Sequence, residues 1–136
     1  MRSARRLALV AGLLLSLRLA WPAYIDSSFL SQFIKPAYLG WFFALSSLIV
    51  IAGLEWLLAW LPLVGFRRVS RWLFLTGLAS GALLLFGHWP VVILSGFVLY
   101  HLTGYLLAFT LDIYLETLST NQSTGRIRGV FLTVVN

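Results

Sequence analysis

Four apolar runs, each close to the length of a bilayer crossing, govern what this chain can fold into. They cover residues 7–24, 37–61, 72–87 and 90–111. A helix rising 1.5 Å per residue needs about 20 apolar residues to cross about 30 Å of hydrocarbon. The first run is broken by Arg18 and the second by Glu55, and the third is the shortest. Across its 136 residues the chain is 60% hydrophobic and 10% charged, too few charges to clothe a soluble domain of this size. The expected fold is therefore all-α: a polytopic membrane bundle of four transmembrane helices plus the start of a fifth near Gly129. Pro22, Pro36, Pro62 and Pro90 lie near the predicted ends, where a missing N–H costs little.

The basic residues orient the bundle. Arg2, Arg5 and Arg6 precede the first run, Arg67, Arg68 and Arg71 fall between the second and third, and Arg126 and Arg128 follow the fourth. The opposite side holds only Lys35 and His88. Lys and Arg concentrate in cytoplasmic segments, so both termini are expected inside a cell (inner or plasma) membrane, with the chain crossing it several times. A cleaved signal peptide is the other reading of the first run, but Arg18 interrupts the run. Trp21 and Pro22 also stand where small residues should precede a cleavage site. Trp21, Tyr24, Tyr38, Trp41 and Trp89 lie near the predicted boundaries, where aromatic rings favour the headgroup region. The formal charge of +6 is not arranged as a basic stripe with polar and aromatic readers, so nucleic acid is not an expected partner. The bilayer is.

Ionisable groups inside spans are costly and point to function by default. Arg18 lies about 16 Å from the cytoplasmic end of its run, and His101 is at a matched depth on the fourth. Two such groups suggest a polar cavity between the helices; the alternative is that Arg18 snorkels and His101 bonds a carbonyl. His101, Tyr105, Ala108 and Asp112 are spaced i, i+4, i+7 and i+11, which is one helical face. A histidine that titrates near neutrality could carry a coupling proton along that face. A polar stripe can equally be packing between helices. Glu55 is the one acid well inside a span, and a structural ion pair with Arg67 or Arg68 is its expected role.

Gly77 and Gly81 form the small-residue pair of "GLASG", and Gly96 and Gly104 repeat around Tyr100. Close helix packing is the expected use of all four. No motif for a hydrolase, a phosphate-binding loop or a metalloprotease is present, and Ser46, Ser47, Ser80 and Ser95 have no evident catalytic partner. Cysteine is absent, which removes thiolate metal sites and thiol nucleophiles. No enzyme activity, cofactor or metal is expected.

The layout resembles the major facilitator superfamily of secondary transporters. That family has a cytoplasmic N-terminus, a basic loop between its second and third spans, a very short outer loop after the third and a basic loop after the fourth. In "LLAWLPLVGFRR", Gly65, Arg67 and Arg68 are similar to the end of the family's G-x-L-x-D-R-x-G-R-R loop. Leu58 stands at its first glycine and Pro62 at its aspartate. In "LDIYLETLSTNQSTGRIRGVFL", Asp112, Arg128 and Gly129 match the acid, linker and R-G that lead into the fifth span. The arginine that the family often places a turn before a glycine of its fourth span is missing, since Tyr100 and His101 precede Gly104.

The resemblance implies about twelve spans in two related halves, with the first and fourth spans lining a central cavity. Arg18, His101 and Tyr105 would then contact a small-molecule substrate or a coupling proton. Gly65, Arg67, Arg68, Asp112, Arg128 and Gly129 would form the cytoplasmic gate. Residues 130–135 reach only about 9 Å as helix, so the chain is expected to be an N-terminal part whose partner is the missing C-terminal part of the same protein. The alternative is a complete four-span accessory or assembly protein that dimerises through Gly77 and Gly81.

Overall fold

The computed structural model describes residues 10, 13, 14, 17, 18 and 27–117. Arg2, Arg5, Arg6, Arg126, Arg128 and the expected fifth span from Gly129 lie outside the described residues. Those that are described are helical wherever they are regular: α1 (Pro36–Val64), α2 (Phe66–Phe86) and α3 (Pro90–Thr117), with no strand among them. Val10, Leu13, Leu14, Leu17 and Arg18 of the first apolar run are helical as well, and a helical turn at 27–30 precedes α1.

Each long helix is apolar and long enough to cross a membrane. At 1.5 Å per residue, α2 spans about 32 Å, and α1 and α3 somewhat over 40 Å. The apolar side chains face outward. Trp41 is 72% exposed, Leu63 81% and Leu85 80%. Water would reject such a surface, whereas lipid tails cover it without cost. The exposed tryptophans, with Tyr38, sit at two levels. Tyr38 and Trp41 at the start of α1 share one end of the bundle with Trp89, beside the α2–α3 turn. Trp56, Trp60 and Trp72 lie toward the other. From Trp41 to Trp60 along α1 is about 28 Å, close to the hydrocarbon thickness.

The second and third spans differ from their predicted bounds. The stretch at 62–71 was expected as a basic loop, but α1 continues through Pro62 to Val64 and α2 begins at Phe66. Gly65 alone joins them, and Arg67, Arg68 and Arg71 ride on the first two turns of α2. Arginine is a good helix former, and its long stem carries the charge to the headgroups while the backbone stays helical. Charge therefore marked the membrane boundary rather than a break in the helix. α3 likewise continues six residues past the predicted end of its span, carrying Asp112 and Glu116 in helix.

The turn at Gly65 has a specific requirement. Its φ is +85° and its ψ 146°, a combination open in practice to glycine alone. Its N–H donates to the Leu61 carbonyl at 3.0 Å, and its carbonyl accepts from the Val69 N–H at 3.2 Å, so one residue closes α1 and opens α2.

α3 is the central element and packs against both α1 and α2, which meet each other less. Ile93, Phe97, Thr103, Leu106 and Thr110 of α3 are buried. Gly96 is where α2 comes closest: a Cβ there would sit 3.2 Å from the Leu83 Cβ and 3.5 Å from the Ser80 carbonyl oxygen. The span hydroxyls turn back on their own helices. Ser46 donates to Phe42 O, Ser47 to Phe43 O, Ser80 to Gly77 O, Ser95 to Val92 O and Thr110 to Leu106 O, all at 2.6–3.0 Å. In hydrocarbon this local bond is the available way to satisfy them.

Gly65→Ala should lower stability by about 1–3 kcal/mol, through torsion alone, because no atom lies within 4 Å of a Cβ placed there. Gly40→Ala, also in open space but mid-helix with ordinary φ, is the control and should cost nothing. Unfolding of both variants in detergent by graded SDS checks the pair.

Candidate functional site

The first apolar run delivers one charged group to the middle of the bundle. Val10, Leu13, Leu14, Leu17 and Arg18 are spaced to share one helical face. Arg18 is half-buried at its end. The Arg18 Nη2 donates to the Thr103 hydroxyl at 3.0 Å and to the Tyr100 carbonyl at 3.3 Å. Its Cζ stands 4.4 Å from the centroid of the Tyr100 ring, a cation–π contact. Tyr100 closes the loop, its phenol donating to the Arg18 carbonyl at 3.1 Å.

The spacing of α3 makes this possible. Tyr100 and Thr103 are one turn apart and so present a ring and a hydroxyl side by side. The Thr103 hydroxyl gives its proton to its own helix, at Leu99 O (2.8 Å) or Tyr100 O (3.1 Å). Its lone pairs are then left to accept from the guanidinium. The partners of Arg18 among the described residues are thus a carbonyl, a hydroxyl and a π face.

α2 provides the floor. A Cβ on Gly77 would lie 2.6 Å from Arg18 Nη2 and 2.7 Å from Nη1, and one on Gly81 would lie 3.8 Å from the Tyr100 ring. The GLASG pair was expected to bring two helices together or to mediate a dimer. Gly77 instead makes room for a guanidinium, because a side chain there would occupy the volume the cation fills. Gly96 is the residue that seats α2 on α3, and Gly104 is buried on α3.

Two clefts meet at Arg18. One, of about 410 Å³, runs toward the Gly65 end and is lined by Leu14, Arg18, Ser70, Arg71, Phe74, Leu107 and Leu111. The other, of about 420 Å³, runs toward the Phe86 end past Gly77, Gly81 and Tyr100. Gly77 is about 18 Å along α2 from Gly65, near the middle of that helix. The guanidinium therefore marks the waist between clefts directed to opposite ends of the bundle. The Ser70 hydroxyl, in the first cleft, is buried and has no hydrogen-bond partner among the described residues. Arg71 adds a second positive charge to the same cleft.

His101 borders this arrangement, its ring edge-on to the Tyr100 ring at 6.4 Å, without lining either cleft. Its ring packs 4.3 Å from Phe97 and 6.2 Å from Tyr105, and Phe97 in turn meets Phe42 and Phe43 of α1 at 5.7 and 6.1 Å. Matched depth suggested a cavity shared with Arg18, yet neither cleft at Arg18 is lined by His101. One residue along a helix turns about 100°, so Tyr100 faces Arg18 while His101 faces the aromatic cluster. Tyr105 lies one turn on and is half-exposed. Asp112 is half-buried near the end of α3, where the Phe66 and Tyr114 rings stack at 4.3 Å and join that end to the start of α2. Arg67 and Arg68 are exposed there, beside Gly65. The expected ion pair of Glu55 with Arg67 or Arg68 does not form: Glu55 is exposed on α1, about 15 Å before the Gly65 turn. Arg128 and Gly129 lie outside the described residues.

Tyr100, Thr103, Ser70 and Arg71 belong to the site and were not singled out as site residues from sequence. The signal was present for the first two, as polar side chains at i and i+3 on a span that also held a histidine. A titratable residue in a span is the stronger signal, and the neutral pair beside it is the weaker one. Among the described residues no group of three or more His, Cys, Asp or Glu is placed to hold a metal.

Gly77→Ala should destabilise the bundle by about 1–3 kcal/mol, the usual cost of overpacking, by displacing the guanidinium. In an Arg18→Ala background the same change should be close to neutral. A double-mutant cycle on SDS unfolding measures the coupling, and equal costs in the two backgrounds would show that Gly77 does not seat Arg18.

Comparison with protein-family models, with curated proteins and with solved structures finds no match to this chain.

Proposed function

We propose that the chain is part of a facilitator-type secondary transporter, resembling the N-terminal bundle of the major facilitator superfamily, and that it moves a small solute with an anionic group. The observation that carries this reading is the guanidinium at the waist between two clefts directed to opposite ends of a membrane-type bundle. A site reachable from either end is what alternating access requires, and a buried cation in a span is costly unless used. Arg18 would bind the anionic group, with Arg71 drawing it into the first cleft and Ser70 offering an unused hydroxyl. Tyr100, Thr103 and Gly77 would hold the guanidinium in position.

A coupling proton, if the cycle uses one, has His101 as its carrier, about 100° around α3 from Tyr100 and edge-on to its ring. The orientation follows from the arginines: Arg67, Arg68 and Arg71 at the Gly65 end make that end cytoplasmic by the positive-inside rule, in a cell membrane. The remainder of the transporter would supply the second half of the cavity. The alternative reading, a complete small four-span accessory protein, would have to dimerise without Gly77, which Arg18 fills.

The test is uptake by membrane vesicles from cells expressing the complete reading frame that contains this chain, with a panel of radiolabelled carboxylates, phosphates and neutral solutes. An anionic solute should accumulate above the vector control. Arg18→Ala should reduce that uptake by about ten- to hundred-fold, the range for losing a hydrogen-bonded charge, with unchanged membrane insertion. Uptake untouched by Arg18→Ala would remove Arg18 from the pathway.

A further inference from the structure

A third cleft, not lined by Arg18 but sharing Thr103 with its site, lies on the face shared by all three long helices. It is about 640 Å³, almost wholly apolar, and lined by Trp56, Trp60, Val69, Trp72, Leu99 and Leu106 among others. Along α1 it extends from Val64 to Ile49, about 22 Å, which is longer than the about 15 Å that one leaflet contributes to the hydrocarbon core. Trp56, Trp60 and Trp72 are 56%, 47% and 67% exposed, so the groove opens sideways to the membrane.

Helical register puts one exposed arginine near its Gly65 end. Arg68 precedes Trp72 by one turn on the same face of α2, and its Cα–Cβ bond tilts toward the start of the helix, which is the Gly65 end. Arg71, one turn on from Arg68, lines the neighbouring cleft with Arg18 rather than this groove. The start of α2 has no side-chain cap and no acid in its first turn. Its leading N–H groups and the positive end of its dipole therefore reinforce Arg68, an arrangement suited to a phosphate.

From an apolar groove longer than a leaflet with an arginine and an uncapped helix start at its mouth, we infer that this face binds one anionic phospholipid. An acyl chain lies in the groove against the three tryptophans. The headgroup phosphate meets Arg68 and the first N–H groups of α2. The site stands apart from the transport reading and does not depend on it.

The test uses the 136-residue chain with Trp21, Trp41 and Trp89 replaced by Phe, so that emission comes only from the groove tryptophans. The protein is reconstituted in phosphatidylcholine vesicles and titrated with dibromo-phosphatidylglycerol or dibromo-phosphatidylcholine, whose bromines quench tryptophan on contact. Quenching should favour the anionic lipid about five-fold, the effect of one basic residue at the surface. Arg68→Gln should abolish the preference, Arg68→Lys should keep most of it, and Arg71→Gln should leave it intact. Equal loss in Arg68→Gln and Arg71→Gln would reduce the effect to diffuse surface charge and overturn the site. Absence of quenching by either lipid would mean that protein, a further segment of the chain or a second copy, fills the groove. Native mass spectrometry of the otherwise unaltered chain and its Arg68→Gln and Arg71→Gln variants, with both unbrominated lipids, applies the same criterion without the tryptophan replacements.

Discussion

A guanidinium held among apolar helices is the interaction on which the rest of this bundle depends. In hydrocarbon a charge must find polar partners within the protein, because lipid offers none. Arg18 finds a carbonyl, a hydroxyl and a ring on α3, and bare backbone on α2. Each partner restricts the sequence nearby. Tyr100 and Thr103 must be one turn apart, Thr103 must spend its proton on its own helix, and position 77 must lack a side chain. The first run is thereby tied to α2 and α3 by chemistry rather than by apolar contact, which gives little preference for one neighbour over another when lipid is the competing solvent.

The contrast with the remaining polar groups is informative. Ser46, Ser47, Ser80, Ser95 and Thr110 are settled locally, each on a carbonyl three or four residues back. Such a hydroxyl asks nothing of another helix, so it neither organises the bundle nor awaits a ligand. Thr103 makes the same local bond and also accepts from Arg18, and Ser70 makes none with a described residue. Thr103 borders the cation directly, and Ser70 lines the cleft that Arg18 shares, nearer the Gly65 end.

Much of the architecture was legible from hydropathy. The apolar runs at 37–61, 72–87 and 90–111 correspond to α1, α2 and α3, and prolines 36 and 90 open helices as expected. The boundaries were less legible where charge and backbone part company: three arginines read as loop, while the chain stays helical and breaks only at Gly65. The candidate site was legible in its centre and obscure in its shell. Arg18 stands out as a charge in an apolar run. Depth along the membrane can be counted from sequence, which is why His101 looked like its neighbour. Rotation of a helix about its axis cannot be read from an almost uniformly apolar span, because there is no polar face to set the phase. The same ambiguity hid the role of Gly77, since the glycine spacing that admits a helix also admits a side chain from one.

The placement of arginine at the start of α2 follows from the membrane rather than from the helix. Helix beginnings favour acids, through the positive end of the dipole, and α2 has three basic residues and no cap instead. In water this would be a net cost with nothing to offset it. At a bilayer surface the same positions would lie beside lipid phosphates, which can offset the charge that weakens the isolated helix and accept from its open N–H groups. Gly65 makes the arrangement possible by turning the chain within one residue, which keeps Trp60 and Trp72 at similar depth on antiparallel helices just inside the arginines. The break in the helix, the charge and the aromatic level therefore fall together at one end of α1 and α2. α3, running alongside, inherits its depth from them through the Phe66–Tyr114 stack and the close approach at Gly96.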